Sequence, residues 1–328
     1  MLSVLLTLLA IVAIIVVADR ALPGPMSRVA LAFQHALGGL RTRSTPIPGF
    51  DIAYLDGGRG EPLVLVHGIG ADKDHFAQIA PFLRGIGRII APDLPGFGGS
   101  SKPADVDYSI EAQAERLGQL LDALHLPRAH FGGSSMGGPI VLEFALRHPE
   151  RVQSLWLLAP AGVGGATESE MFRRHRELGE YALFAQAPEQ YAAVIDFVFA
   201  KPPFIPYSVK HELAAAACGN YALHTRIFRE LVGRPFTLEQ AVAGLATPTL
   251  IVWGDQDHVL DVSGGAILHR ALPNSKLVVM RGIGHLPMLE APRRTAVDYR
   301  AFRAALARGD SARDAPAERF DQALVAGG

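Results

Sequence analysis

The hydrophobic pattern divides the chain into distinct regimes. From Leu2 to Ala18 there is no charge, and Leu5 through Val17 is apolar on every face apart from Thr7. A helix in water keeps a polar side, so this segment belongs in a membrane or a translocon. From about Phe50 to Leu158, solid apolar runs such as Pro62–Val66, Gly87–Ala91 and Val152–Leu158 alternate with helical periods. The longest of these is Tyr108–Leu126, with Ile110, Ala114, Leu117, Leu120, Leu121 and Leu124 on one face; a shorter helix is expected from about Asp74 to Leu83. Solid runs suit strands covered on both faces, and the alternation predicts an α/β fold with a mostly parallel sheet and right-handed crossovers. From Gly162 to about Phe236 the alternation stops, and a helical stretch rich in aromatic residues is broken by Pro202-Pro203 and Pro206. It then resumes with strands at Pro248–Trp253 and Lys276–Met280 and helices at Val262–Leu272 and Pro292–Leu306.

These regimes set the expected organisation: a membrane anchor or signal segment at 1–18, a juxtamembrane connector at 19–46, core at 47–161 and 237–307, a helical lid at 162–236 and a flexible tail at 308–328. A helical insertion after a core strand reads as a lid over the carboxyl edge of the sheet, and its apolar side chains both pack and line the cavity beneath. In the connector, Val29, Ala30, Leu31, Phe33 and Leu37 make a short amphipathic helix that lies on the bilayer or packs on the body. At about 1.5 Å per residue the first segment falls a little short of a roughly 30 Å hydrocarbon core. It spans with slight thinning, or it is a signal peptide cut after Ala18 that leaves a secreted or periplasmic protein. No Lys or Arg precedes it, whereas Arg20, Arg28, Arg41 and Arg43 follow, which favours an uncleaved anchor with the body in the cytoplasm.

Composition narrows the partners. With 328 residues, 49% of them hydrophobic, the chain buries one sizeable core, and a net charge of −1 argues for neither nucleic acid nor a strongly acidic partner. The single Cys218 sits in an alanine-rich run and reads as a small packing residue. No H-E-x-x-H metal pattern occurs and no cofactor is expected. Oligomeric state is not encoded in any pattern of this kind.

The chemistry concentrates at Phe131–Pro139. Gly133-Ser134-Ser135-Met136-Gly137 fits G-x-S-x-G between a strand and a helix, a turn too tight for Cβ atoms beside the serine. A Gly-rich loop with an idle serine would give the same five letters; the ordered partners downstream decide against it. Ser135 is followed by acids after the strand ending at Trp253, Asp255 and Asp257, and by His285 after the next strand, each just past a strand end where a parallel sheet brings them together. In this order Ser135 attacks a carbonyl, His285 moves its proton, and a carboxylate fixes the imidazole. The Met136 N–H at the helix start and the Ile69 N–H in the loop His67-Gly68-Ile69-Gly70 are the candidate oxyanion donors. His67 reads as support for that loop, Asp93 as a holder of backbone N–H groups in its own loop, and His258 as a loop or surface residue.

From about Phe50 to Leu306 the sequence resembles the serine α/β hydrolases. Gly133–Gly138, Ala159–Val163 and Trp253–Gly264 are similar to the membrane-anchored monoacylglycerol lipases of the α/β-hydrolase-domain group. The resemblance implies that Asp257, the later position of Gly-x-x-Asp, carries the catalytic carboxylate and that Asp255 caps the loop or faces solvent. It also implies hydrolysis of a lipid ester, monoacylglycerol-like or of medium chain length, at a membrane surface. Relatives on this fold that open epoxides or remove halides carry an aspartate where Ser135 stands. A C–C bond hydrolase, an acyltransferase, a haloperoxidase and a non-catalytic ligand-binding protein remain as alternatives.

Overall fold

The computed structural model describes residues 1–233 and 237–314. Eight strands form one sheet: β1 (Leu40–Ile47), β2 (Phe50–Gly58), β3 (Pro62–Val66), β4 (Arg88–Pro92), β5 (Ala129–Ser134), β6 (Val152–Leu158), β7 (Thr249–Gly254) and β8 (Ser275–Met280). Their order is β1-β2-β4-β3-β5-β6-β7-β8, with β2 antiparallel to β1 and β4 and every other pair parallel. The solid apolar runs became the buried parallel strands, as burial on both faces requires. Every residue of β5 is buried. Helices cover both faces. On one, Phe131 packs against Phe144; on the other, Trp156 stacks on Tyr299 at 4.1 Å between ring centroids.

Some elements differ from the sequence reading. β1 arises within the stretch read as connector: only Leu40 and Ile47 are buried in it, so an edge strand of Arg, Thr and Ser gives no alternating signal. The helix expected near Asp74–Leu83 is a 3₁₀ turn, Lys73–Phe76, followed by the short helix Ala80–Leu83. The beginning of the expected tail also packs. Ala312 is fully buried and its N–H reaches Asn274 Oδ1 at 2.8 Å. The rest of that tail, 315–328, and the last lid positions, 234–236, lie outside the described residues.

The insertion after β6 contains helices Glu170–Leu178, Tyr191–Val198, Tyr207–Gly219 and Tyr221–Val232. Tyr181, Phe184 and Phe228 form an aromatic cluster among them, with ring centroids 5.7–6.4 Å apart. His224 latches the insertion to the core, stacking on Phe97 at 4.7 Å and reaching the Gly96 carbonyl at 3.2 Å. At the amino end is the helix Leu2–Ala21, whose stretch Ser3–Ala21 is apolar and long enough to cross a membrane, with none of that stretch buried in the body. It runs through Leu22 into the helix Pro23–Gly38. This second helix buries Ser27 and Gly38 yet leaves Val29, Phe33 and Leu37 exposed, so it packs on the body through one face and presents an apolar stripe on the other.

Candidate active site

β5 delivers its chain into a turn where Ser135 adopts φ +53°, a left-handed conformation that a non-glycine residue holds only under constraint. The constraint is visible. The Ser135 N–H donates to Leu158 O at 3.0 Å, and its carbonyl accepts from Gly138 N at 2.9 Å and Ala161 N at 3.1 Å. The flanking glycines are steric necessities: a Cβ on Gly133 would stand 2.4 Å from Gly137 O, and one on Gly137 would stand 2.2 Å from Val66 O. The helix Gly137–Arg147 starts immediately, so its positive end faces the turn.

The loop after β3 meets this elbow directly, since a Cβ on Gly68 would lie 2.9 Å from Ser135 Cβ. Neither the Ile69 nor the Met136 N–H has a hydrogen-bond partner among the described residues, which leaves two donors beside the serine. His67 holds the loop. Its Nδ1–H donates to Gly68 O at 2.7 Å, and its Nε2 accepts the Leu94 N–H at 3.0 Å. Burial pushes the His67 pKa down, against the pull of Asp93, consistent with the neutral ring that this pattern needs.

At the ends of β7 and β8 the remaining sequence-predicted residues come together. His285 Nδ1 and Asp257 Oδ2 are 2.8 Å apart, with the Asp257 side chain wholly inaccessible and that of His285 5% exposed. Asp257 Oδ1 accepts the N–H groups of Val259 and Leu260 at 2.8 and 2.9 Å, so both carboxylate oxygens are engaged. Asp255 instead accepts the Gly282 N–H at 2.6 Å and caps the neighbouring loop. His258 is exposed and pairs with Glu170 on the insertion at 3.0 Å.

Behind the loop after β3, Asp93 holds backbone N–H groups as the sequence reading expected, but the charged layer around it escaped that reading. Lys73 donates from Nζ to Asp93 Oδ2 at 3.1 Å and from its backbone N–H to Asp93 Oδ1 at 2.7 Å, while Gly99 N–H reaches Oδ2 at 2.7 Å. Burial pushes the Asp72 pKa up to about 7, helped by the negative charges of Asp74 and Asp93. Burial also lowers His75 to about 4, with His67 and His285 contributing by repulsion. The cue in the sequence was the density of charge in Asp72-Lys73-Asp74-His75, which reads as solvated surface until the fold folds it inward.

A cavity of about 570 Å³ opens over the serine, lined by Ile69, Ser135 and Met136 at its base and by Met171, Phe172, Leu183, Phe228 and Leu231 from the insertion. A base of one hydroxyl and two free N–H groups under mostly apolar walls suits a carbonyl compound with a hydrocarbon arm.

Comparison with known proteins agrees with this fold. A family model described as alpha/beta hydrolase fold matches residues 61–292. Lipase 3 of Moraxella sp. (strain TA144) is 37% identical over 83% of this chain and 88% of its own length. Monoacylglycerol lipase ABHD6 of Rattus norvegicus is 30% identical over 85% of this chain and 88% of its own. Among solved structures, a membrane phospholipase A described as a bacterial virulence factor superposes with a TM-score of 0.85 at 38% identity, covering 94% of this chain and 99% of that one.

Proposed function

The chain belongs to the α/β-hydrolase family, and from that premise we propose that it is a serine hydrolase of carboxylic esters, acting on monoacylglycerol-like or medium-chain lipid esters through an acyl-serine intermediate. The observation that carries the reading is Ser135 at φ +53°, set between two unpartnered N–H groups on the floor of an apolar cavity. Asp257 occupies Nδ1 of His285, which leaves Nε2 as the nitrogen that takes the serine proton. Ser135 Oγ then bonds to the ester carbonyl carbon, and the oxyanion is received by the N–H groups of Ile69 and Met136. Each such donor contributes about 10²–10³ in rate. His285 returns the proton to the leaving alcohol as the C–O bond breaks; a water, deprotonated by the same nitrogen, releases the carboxylic acid.

The apolar helix at the amino end supports membrane attachment, and the basic residues after it support a cytoplasmic body. Attachment suits a substrate that partitions into lipid. The test is a panel running from p-nitrophenyl butyrate through longer esters and monoacylglycerols to diacylglycerols, with wild type beside Ser135→Ala. The rate is expected to rise with acyl length and then fall as the cavity fills, and to vanish in Ser135→Ala. Labelling by a fluorophosphonate without turnover of any ester would move the reading to a C–C hydrolase, an acyltransferase or a haloperoxidase.

A further inference from the structure

The lid segment from Val198 to Tyr207 is held at both ends. At the first, Val198 O accepts the His285 N–H at 2.9 Å. At the second, the helix Tyr207–Gly219 follows Pro206 and has no side-chain cap from its own N-cap residue. Asp19, 188 residues earlier, supplies one: its Oδ2 accepts the Tyr207 N–H at 3.0 Å and its Oδ1 accepts the Ser208 N–H at 3.3 Å.

Asp19 lies two residues before the end of the apolar stretch Ser3–Ala21. Its 19 residues, at about 1.5 Å each, match a hydrocarbon core of roughly 30 Å, which puts Asp19 near the water-side boundary. The hydrogen bonds to Asp19 therefore fix Tyr207 at that level, and three residues of chain extend no more than about 11 Å from it. Phe204 falls inside this radius, and it is 92% exposed. A lone exposed Phe needs no explanation elsewhere on a surface. Here it lies within that radius of the edge of a span, where Arg20 sits 6.0 Å from the Tyr207 ring and Leu22 and Lys201 are also exposed, an aromatic and cationic mixture that suits a headgroup region.

We propose that the lid docks on the lipid bilayer through Phe204, at a depth set by the hydrogen bonds from Asp19 to the lid helix Tyr207–Gly219. This rests on the reading of the amino-terminal helix as an uncleaved anchor. The segment that enters the interface begins against His285 at Val198, so at most about 20 Å of chain separates Phe204 from the residue that touches the candidate site.

The experiment uses the full chain with Phe204→Trp in phosphatidylcholine vesicles containing brominated acyl chains, and wild type as background, because Trp156 and Trp253 are 0% and 1% exposed. The added tryptophan is expected to be quenched by bromines near the headgroup end of the chain. Sedimentation with vesicles but no quenching overturns the docking and leaves the anchor intact; failure to sediment overturns both. Phe204→Ser adds a functional readout. Hydrolysis of monoacylglycerol in vesicles should fall about tenfold, the worth of one buried aromatic side chain, with p-nitrophenyl butyrate turnover unchanged. An equal loss on both substrates would make Phe204 a structural residue and refute the proposal.

Discussion

Asp257→Asn separates two carboxylates that lie two positions apart. In the native protein Asp257 Oδ1 holds the N–H groups of Val259 and Leu260, and Oδ2 faces His285 Nδ1 at 2.8 Å. Asparagine keeps one oxygen for the two backbone donors and turns its NH₂ toward the imidazole. His285 Nδ1 must then accept, its proton moves to Nε2, and the nitrogen that should receive the Ser135 proton is already filled. A tautomer error of this kind costs about 10⁴ in kcat in a serine protease triad, or about 5 kcal/mol. The fold should survive, since the buried oxygen bonds to Val259 and Leu260 remain. Asp255→Asn alters only the cap on Gly282 and should stay within about tenfold of wild type. The assay is kcat/KM on p-nitrophenyl butyrate with thermal melts of both variants. Asp257→Asn within tenfold of wild type, or equal losses for the two variants, would refute the assignment.

The His224 latch predicts acid lability. Burial lowers its pKa from 6.5 to about 4, so the unfolded chain takes up a proton near pH 6.5 that the native protein refuses until about 4; stability is complete above pH 6.5 and declines as pH falls between those values, by on the order of 3 kcal/mol. His224→Gln should flatten that limb of a denaturation-versus-pH curve, and an unchanged slope would count against the latch. Gly137→Ala should lower the melting temperature by about 10 °C or more and abolish turnover, because its Cβ meets Val66 O at 2.2 Å, whereas Gly179→Ala, at φ +66° with open space around it, should cost only about 1 kcal/mol. Equal melting temperatures would show that the elbow tolerates a methyl group. A chain beginning at Asp19, which keeps the cap on Tyr207–Gly219, should keep the thermal stability of the body, while one beginning at Arg43 cuts β1 in its middle and removes the helix that carries the His35–Asp74 contact at 2.6 Å; equal melting curves would place β1 outside the folding unit.

The sequence by itself determined the sheet interior and the order of the candidate site residues. Buried parallel strands need side chains apolar on both faces, so Pro62–Val66 and Val152–Leu158 announced themselves, and an elbow this tight admits only glycine at Gly133 and Gly137. The order of Ser135, an acid and His285 followed from strand ends on one edge of a parallel sheet. Tertiary structure decided what depends on distant neighbours. β1 is a strand because β2 offers it a ladder, and its own polar residues carry no such signal. Geometry separated the two aspartates, since only Asp257 presents a free oxygen to His285 after capping its own loop. The charged run Asp72–His75 is half-buried because the loop after β3 turns it inward, with Lys73 compensated by Asp93 from the next strand end. Asp19 became part of the lid through two N–H groups that a proline left uncapped, a pairing across 188 residues that no local pattern encodes.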